Sequence, residues 1–239
     1  MTNVVVLTGA GISRESGIPT FRDAGGLWES HRVEDVATPK AFRRDPDLVY
    51  RFYNERRERC AEAEPNAAHH ALARLEAAWE GVGDFLLVTQ NVDDLHERAG
   101  STHVLHMHGK LNSARCGACR YRVAHHGPMD ALTKCKACGK AALRPDVVWF
   151  GEKPLHVEAI EDELARVDLL IVVGTSGQVM PAALYPALAA DNGRGPSIIE
   201  VNPEPTGNPC FTRVVRGPAV DTVPALVDQI VGKSGEGTG

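Results

Sequence analysis

The stretch Asn3-Val4-Val5-Val6-Leu7-Thr8-Gly9-Ala10-Gly11-Ile12-Ser13 decides the fold. From Asn3 to Thr8 the residues are mostly β-branched and no polar residue alternates with them, which predicts a strand buried on both faces. It ends at Gly9-Ala10-Gly11, and two glycines one residue apart after a strand predict a tight turn of the kind that cradles a phosphate. The third glycine of G-x-G-x-x-G is missing, and Arg14 stands in its place. Alone, then, the turn does not separate a nucleotide site from an ordinary bend.

The rest of the chain supplies what the turn lacks. Buried strands are predicted at Phe85 to Thr89, Val104 to Met107, Asp168 to Val173 and Ser197 to Val201. Helices are predicted from Asp45 to Cys60, Asn66 to Trp79, His156 to Arg166, Pro181 to Ala190 and Asp221 to Val231. Asp45 and Asn66 are suitable N-caps, and Pro46 occupies the first helical position of its segment. Strands alternating with helices imply an α/β fold with a Rossmann-like, doubly wound parallel sheet. In such sheets ligands bind outside the carboxyl ends of the strands. Three more strands end in polar or glycine groups: Gln90-Asn91-Val92-Asp93, Gly174-Thr175-Ser176 and Asn202-Pro203-Glu204. Together with Gly9, Ala10 and Gly11, they can converge on one dinucleotide.

Composition narrows the class. The chain has 239 residues, 43% hydrophobic and 24% charged, as in an ordinary globular protein. Its net charge of −5 argues against a general nucleic-acid binder or an anionic-membrane protein. No apolar run approaches the ~20 residues of a membrane helix. The opening Val4-Val5-Val6-Leu7 is too short for a signal peptide, so a cytoplasmic location is expected. The tail after Gly232 is rich in glycine and polar residues and is expected to be disordered.

Four of the six cysteines form two C-x-x-C pairs, Cys116 with Cys119 and Cys135 with Cys138, 15 residues apart. Two such knuckles can wrap one tetrahedral Zn²⁺. Four thiolates close the coordination sphere, so the metal is expected to be structural. Residues 112–146, which carry the pairs, are polar and read as an insert without a large core of its own. Cys60 and Cys210 read as ordinary free cysteines.

These motifs, in this order, resemble the sirtuin signature: Gly9-Ala10-Gly11-Ile12-Ser13, Thr20-Phe21-Arg22, Thr89-Gln90-Asn91-Val92-Asp93, His106-Met107-His108-Gly109 and the two cysteine pairs. The resemblance runs from about Val4 to Val231. It implies a Rossmann-like NAD-binding domain formed by residues 1–23, 66–111 and 147–232. A small module would comprise a helical part, 24–65, and a zinc part, 112–146, leaving 233–239 as the tail. It implies NAD as co-substrate and acylated lysines of cellular proteins as substrate. By this resemblance Ala10, Phe21 and Arg22 lie in the cofactor loop, and Gln90 holds the nicotinamide ribose. Asn91 and Asp93 hold the carboxamide, Gly174, Thr175 and Ser176 face phosphate or ribose, and Asn202, Glu204 and Ala219 face the adenosine. Val147-Val148-Trp149-Phe150-Gly151-Glu152 is similar to the strand on which a substrate peptide pairs through its backbone.

The chemistry so implied has nicotinamide leave and the lysine amide oxygen attack the ribose carbon. His108 then acts as general base on a ribose hydroxyl, assisted by Gln90 and Asn91. The products are free lysine, nicotinamide and an O-acyl-ADP-ribose. An imidazole suits the task because its ordinary pKa of ~6.5 lies near working pH. Phe52-Tyr53-Asn54-Glu55-Arg56 resembles the Tyr-x-x-Arg pair of sirtuins that prefer succinyl, malonyl and glutaryl lysine. Tyr53 and Arg56 share one helix face and can clamp a distal carboxylate, with the small Ala37 leaving room. Bacterial members with this pair also remove acetyl groups, so both activities are expected. A plain deacetylase and an ADP-ribosyl-transferring or NAD-sensing protein are the alternatives. Met180 stands where relatives usually carry an aromatic residue.

Overall fold

The computed structural model describes residues 2–19 and 31–236. Nine strands are found there: β1 (Val4–Thr8), β2 (Phe85–Thr89), β3 (Val104–His106), β4 (Gly109–Cys116), β5 (Arg122–Ala124), β6 (Leu143–Val147), β7 (Leu169–Val173), β8 (Ser197–Val201) and β9 (Arg213–Val215). The helices are α1 (Val33–Val36), α2 (Pro39–Arg44), α3 (Pro46–Glu62), α4 (Ala67–Trp79), α5 (Leu95–Arg98), α6 (Val157–Leu164), α7 (Tyr185–Ala190) and α8 (Ala219–Glu236).

The large sheet is parallel, in the order β3-β2-β1-β7-β8-β9. Chain order therefore moves outward from β1 on one side and outward from β7 on the other. This is the doubly wound arrangement expected from the alternation of elements. β1 is buried along its whole length because helices cover both faces of the sheet. Val4 and Val6 pack with Leu72 and Leu75 of α4 and Val223 and Leu226 of α8. Val5 and Leu7 point the other way and pack with Ile160 and Leu164 of α6 and Tyr185 of α7. The period of two along a strand makes one apolar run serve two cores.

The predicted helix starts at Asp45 and Asn66 are borne out by their caps, whereas α7 begins at Tyr185 rather than Pro181. The Asp45 side chain accepts from Leu48 N (3.0 Å) with Pro46 in the first turn of α3. Asn66 caps α4, and its own N–H donates to His69 Nδ1 (3.2 Å), closing a reciprocal box. The last helix begins at Ala219 and continues to Glu236, past the Val231 at which the sequence reading ends it.

Residues 112–146 are more ordered than their polarity suggests. β4, β5 and β6 form a separate antiparallel sheet in the order β5-β4-β6. Its small core joins Ala114, Cys116, Met129, Cys135 and Leu143 to Tyr50 of α3. α3 also packs Phe52 and Tyr53 against Leu111, Val147 and Trp149. One helix thus ties the small sheet to the mouth of the large one.

Candidate active site

The crevice opens where the order of the large sheet reverses, between β1 and β7. Gly9 N donates to Val173 O (3.0 Å) and Gly11 N to Gly174 O (2.9 Å). A Cβ on Gly11 would lie 2.7 Å from Gly174 Cα, and Gly174 itself sits at φ +61° against the Gly11 backbone. The two loops touch backbone to backbone, which only glycines allow. The glycine absent from the first loop at Arg14 is thus matched by one supplied from the next strand over.

A cavity of about 1040 Å³ runs outward from these turns. It is wide enough for a dinucleotide and a side chain together. Gly9, Ala10, Gly11, Gln90, Asn91, Asp93, Gly174, Thr175, Ser176, Asn202, Glu204 and Ala219 all line it, as do His108, Ala37, Tyr53, Arg56, Val147, Val148, Phe150 and Gly151. The structure brings together around one cavity every described residue expected there. Phe21 and Arg22 lie outside the described residues. Asn202 braces the rim by donating to Thr175 O (2.7 Å), and Met180, more than half exposed, sits on its edge.

His108 lies in the turn between β3 and β4. Its Nδ1 is 3.0 Å from Gln90 O. A carbonyl oxygen only accepts, so Nδ1 carries the proton and Nε2 keeps the lone pair. Burial lowers the pKa of His108, with the Gln90 contact acting weakly the other way. The imidazole is therefore neutral at physiological pH and can accept a proton at Nε2.

Beside it, Ser13 Oγ donates to Asp93 Oδ2 (3.3 Å) and accepts from Asn91 Nδ2 (3.1 Å). Asp93 also accepts from Leu95 N (3.2 Å), and burial pushes its pKa up. These bonds fix the Asn91 carboxamide and the Asp93 carboxyl in one orientation.

Part of the cavity lining comes from α3. Tyr53 and Arg56 are both buried, one turn apart, with Ala37 buried nearby. Burial holds the Tyr53 phenol neutral, its pKa pushed up to about 12. Its oxygen accepts from Trp149 Nε1 (3.0 Å). One expectation is corrected here: Val147–Glu152 is not a strand throughout. β6 ends at Val147, and the chain then turns. Val148 N donates to His108 O (2.8 Å), Phe150 N to Ala37 O (3.0 Å) and Trp149 N to Glu152 Oε2 (2.9 Å). These amides are spent inside the chain, where an open strand would present them to a peptide.

The four cysteine sulfurs lie within 4.8 Å of one another. Cys116 Sγ is 3.7 Å from Cys138 Sγ, and Cys119 Sγ is 3.7 Å from Cys135 Sγ. A tetrahedron with Zn–S bonds of ~2.3 Å has sulfurs about 3.8 Å apart, so the spacing fits this metal. None of these cysteines lines the cavity.

Sequence reasoning missed a buried polar layer beneath the site. Thr8 Oγ1 bonds Thr89 Oγ1 (2.9 Å) and His96 Nε2 (3.0 Å), and the His96 and His69 rings meet edge to face at 4.9 Å. Arg144, Trp149 and Glu152 form a second group: the Arg144 guanidinium lies 3.2 Å over the indole and bonds Glu152 Oε1 (2.8 Å). Nothing in the one-dimensional pattern distinguishes these residues from solvated ones.

A parallel sheet with a dinucleotide-sized cleft at its switch point, a neutral, half-buried histidine in that cleft and a four-thiolate knuckle to one side defines a narrow class of α/β protein. The chain belongs to the Sir2 family, whose profile matches residues 9–181. It is 49% identical over 234 residues to the NAD-dependent protein deacylase SIR2rp3 of Trypanosoma brucei brucei, covering 95% of this chain and 94% of that protein. It is also 49% identical to an NAD-dependent protein deacylase of Caulobacter vibrioides, covering 96% and 97%. Among solved structures, a Sir2 homologue–NAD complex matches with a TM-score of 0.86 and 45% identity, covering 97% of this chain and 90% of that one.

Proposed function

We propose that this chain is an NAD-dependent protein-lysine deacylase that removes succinyl and malonyl groups as well as acetyl. The carrying observation is that one cavity is lined by the glycine turns, His108 and the Tyr53–Arg56 pair together. NAD, when bound, supplies a ribose carbon that takes the acyl oxygen as nicotinamide departs. The chain's own residues do the rest. Gly9, Gly11 and Gly174 let backbone approach the phosphates without an intervening Cβ. Gln90 orients the ribose, while Asn91 and Asp93, locked through Ser13, orient the carboxamide. Thr175, Ser176, Asn202, Glu204 and Ala219 take the ribose and adenosine end. His108 accepts the proton of a ribose hydroxyl at Nε2.

At the far end Arg56 offers a charged fork and Tyr53 a phenol to an acyl carboxylate that loses its water on entry. Cys116, Cys119, Cys135 and Cys138 hold one structural Zn²⁺, with no position left for a substrate or water. We assign residues 1–23, 66–111 and 147–232 to the NAD-binding domain, and 24–65 with 112–146 to the small module. Substrates are acyl-lysines of cellular proteins in the cytoplasm, not nucleic acid or membranes; the net charge of −5 supports this. Among the described residues no helix is long and apolar enough to cross a membrane. Assaying succinyl, malonyl and acetyl peptides side by side, with and without NAD, tests the reading. Turnover of the acetyl peptide alone would reduce it to a plain deacetylase.

A further inference from the structure

Trp149 links two groups of side chains, meeting Tyr53 through its indole and Glu152 through its backbone. Its indole N–H reaches Tyr53 Oη at 3.0 Å in a fully buried setting. Its ring is covered by the Arg144 guanidinium at 3.2 Å, which also donates to Val147 O (2.7 Å) and to both oxygens of Glu152 (2.8 and 3.1 Å). Glu152 returns to accept from Trp149 N (2.9 Å), and Arg115 anchors the same carboxylate. Ring, backbone and counterion are locked as one unit, with the ring also packed against Phe42 at 5.1 Å.

An indole N–H can only donate, so in this pair the phenol oxygen is the acceptor. The O–H bond of Tyr53 is accordingly turned away from Trp149, which leaves its proton directed to be donated elsewhere. An acyl carboxylate is an acceptor only, and needs donors. A bond received at the phenol oxygen also polarises the O–H and strengthens what it donates. Phenylalanine at position 149 would keep an aromatic ring but leave the phenol free to turn its proton toward it.

We infer that Trp149, clamped by Arg144 and Glu152, is a positioning residue that sets Tyr53 as a hydrogen-bond donor and so raises selectivity for acidic acyl groups over acetyl. This inference rests on the acyl clamp proposed above. The same turn carries the Val148 N–H bond to His108 O, so the element that orients the phenol also abuts the base.

The test is a double-mutant cycle read as the ratio of kcat/KM for succinyl peptide to that for acetyl peptide. Trp149→Phe, which loses the N–H, is expected to lower this ratio roughly three- to tenfold, the worth of one buried neutral hydrogen bond. In a Tyr53→Phe background the same change is expected to leave the ratio where Tyr53→Phe alone puts it, because the hydroxyl through which Trp149 acts is gone. If Trp149→Phe unsettles the fold, β-(3-benzothienyl)-alanine at position 149 keeps both rings, lacks the N–H and should give the same result. An equal drop in both backgrounds would show that the ring acts by shape and would overturn the inference. So would an unchanged ratio in Trp149→Phe when Tyr53→Phe does lower it. A Tyr53→Phe enzyme with an unchanged ratio would overturn the acyl clamp itself, and this inference with it.

Discussion

His106 and His108 stand two residues apart and direct their Nδ1 atoms at consecutive carbonyls, Asn91 O (3.1 Å) and Gln90 O (3.0 Å). The segment after β2 is therefore stitched to the end of β3 and the turn after it by two imidazoles, and of the two only His108 lines the cavity. His106 instead meets Glu97 Oε1 (2.9 Å), whose carboxylate also binds Lys110 (2.7 Å). His108→Ala should keep the fold and lower deacylation by ~10²–10⁴-fold, the usual cost of removing a general base. Near-normal turnover in a folded His108→Ala enzyme would contradict its role. The pH dependence has a defined sign. A base must be deprotonated to work, and burial lowers the His108 pKa from its ordinary 6.5. The acid limb of kcat/KM against pH should therefore have its midpoint below 6.5, with a flat profile through neutrality. A limb centred above 6.5 would mean that another group controls the rate. For the acyl clamp, Arg56→Met should lower the succinyl-to-acetyl ratio of kcat/KM by roughly ten- to a hundredfold, since a charge-assisted contact of ~1.5–3 kcal/mol is lost. Equal losses on both peptides would show instead that Arg56 holds the helix in place.

At the scale of elements, the loop–loop contact between β1 and β7 is the most exposed to mutation. Gly174→Ala would combine a positive φ with an overlap of backbone at 2.7 Å, and neither neighbour can swing aside as a long side chain could. A loss of about 2–4 kcal/mol is expected, with a lower denaturant midpoint and weaker NAD binding. An unchanged midpoint would show that the two loops are not in register. The small sheet should contain one Zn²⁺ per chain by metal analysis, and Cys135→Ser should destabilise it. Metal-free protein that stays folded and fully active would refute the structural role.

The same elements show how much could be read from the chain. β1, β2, β7 and β8 were legible because apolar runs end in glycine or polar turns, and α3 and α4 because Asp45 and Asn66 announce them. β6 was not legible. Its sequence Leu143-Arg144-Pro145-Asp146-Val147 looks solvated, yet every residue is buried. Arg144 is neutralised by Glu152, and Asp146 accepts from Ser113 and Arg122, partners that only the fold supplies. The irregular register between Lys110 and Ala114 hid β4 by breaking its alternation. β9 is three residues at the sheet edge, too short to carry a period. Of the site, the residues within motifs were legible, whereas Trp149 gains its meaning from Tyr53, far away in sequence, and Arg144 from a turn that folds Trp149 and Glu152 back onto it.

The whole molecule has a pH dependence of stability that follows from its buried histidines. Burial lowers His69 to about 4, and burial with the neighbouring His69 and His106 lowers His96 to about 3. In the unfolded chain both return to ~6.5. Between these values the unfolded state binds more protons, so stability rises with pH through this window and falls as pH drops below about 6.5. The loss should be on the order of a few kcal/mol by pH 4, measurable by urea melts at fixed ionic strength. Melts that stay level from pH 7 to 4 would contradict the burial of these rings. The family and its relatives support NAD-dependent protein deacylation for this chain, and the proposed reaction transfers the acyl group from lysine to NAD-derived ADP-ribose. Its most direct test is the stoichiometry of a succinyl-peptide reaction followed by mass spectrometry, with His108→Ala as control. The account predicts that free lysine peptide, nicotinamide and O-succinyl-ADP-ribose form in equal amounts, only with NAD present and hardly at all in the variant. Peptide desuccinylated without NAD, or nicotinamide released with no acylated ADP-ribose, would contradict it.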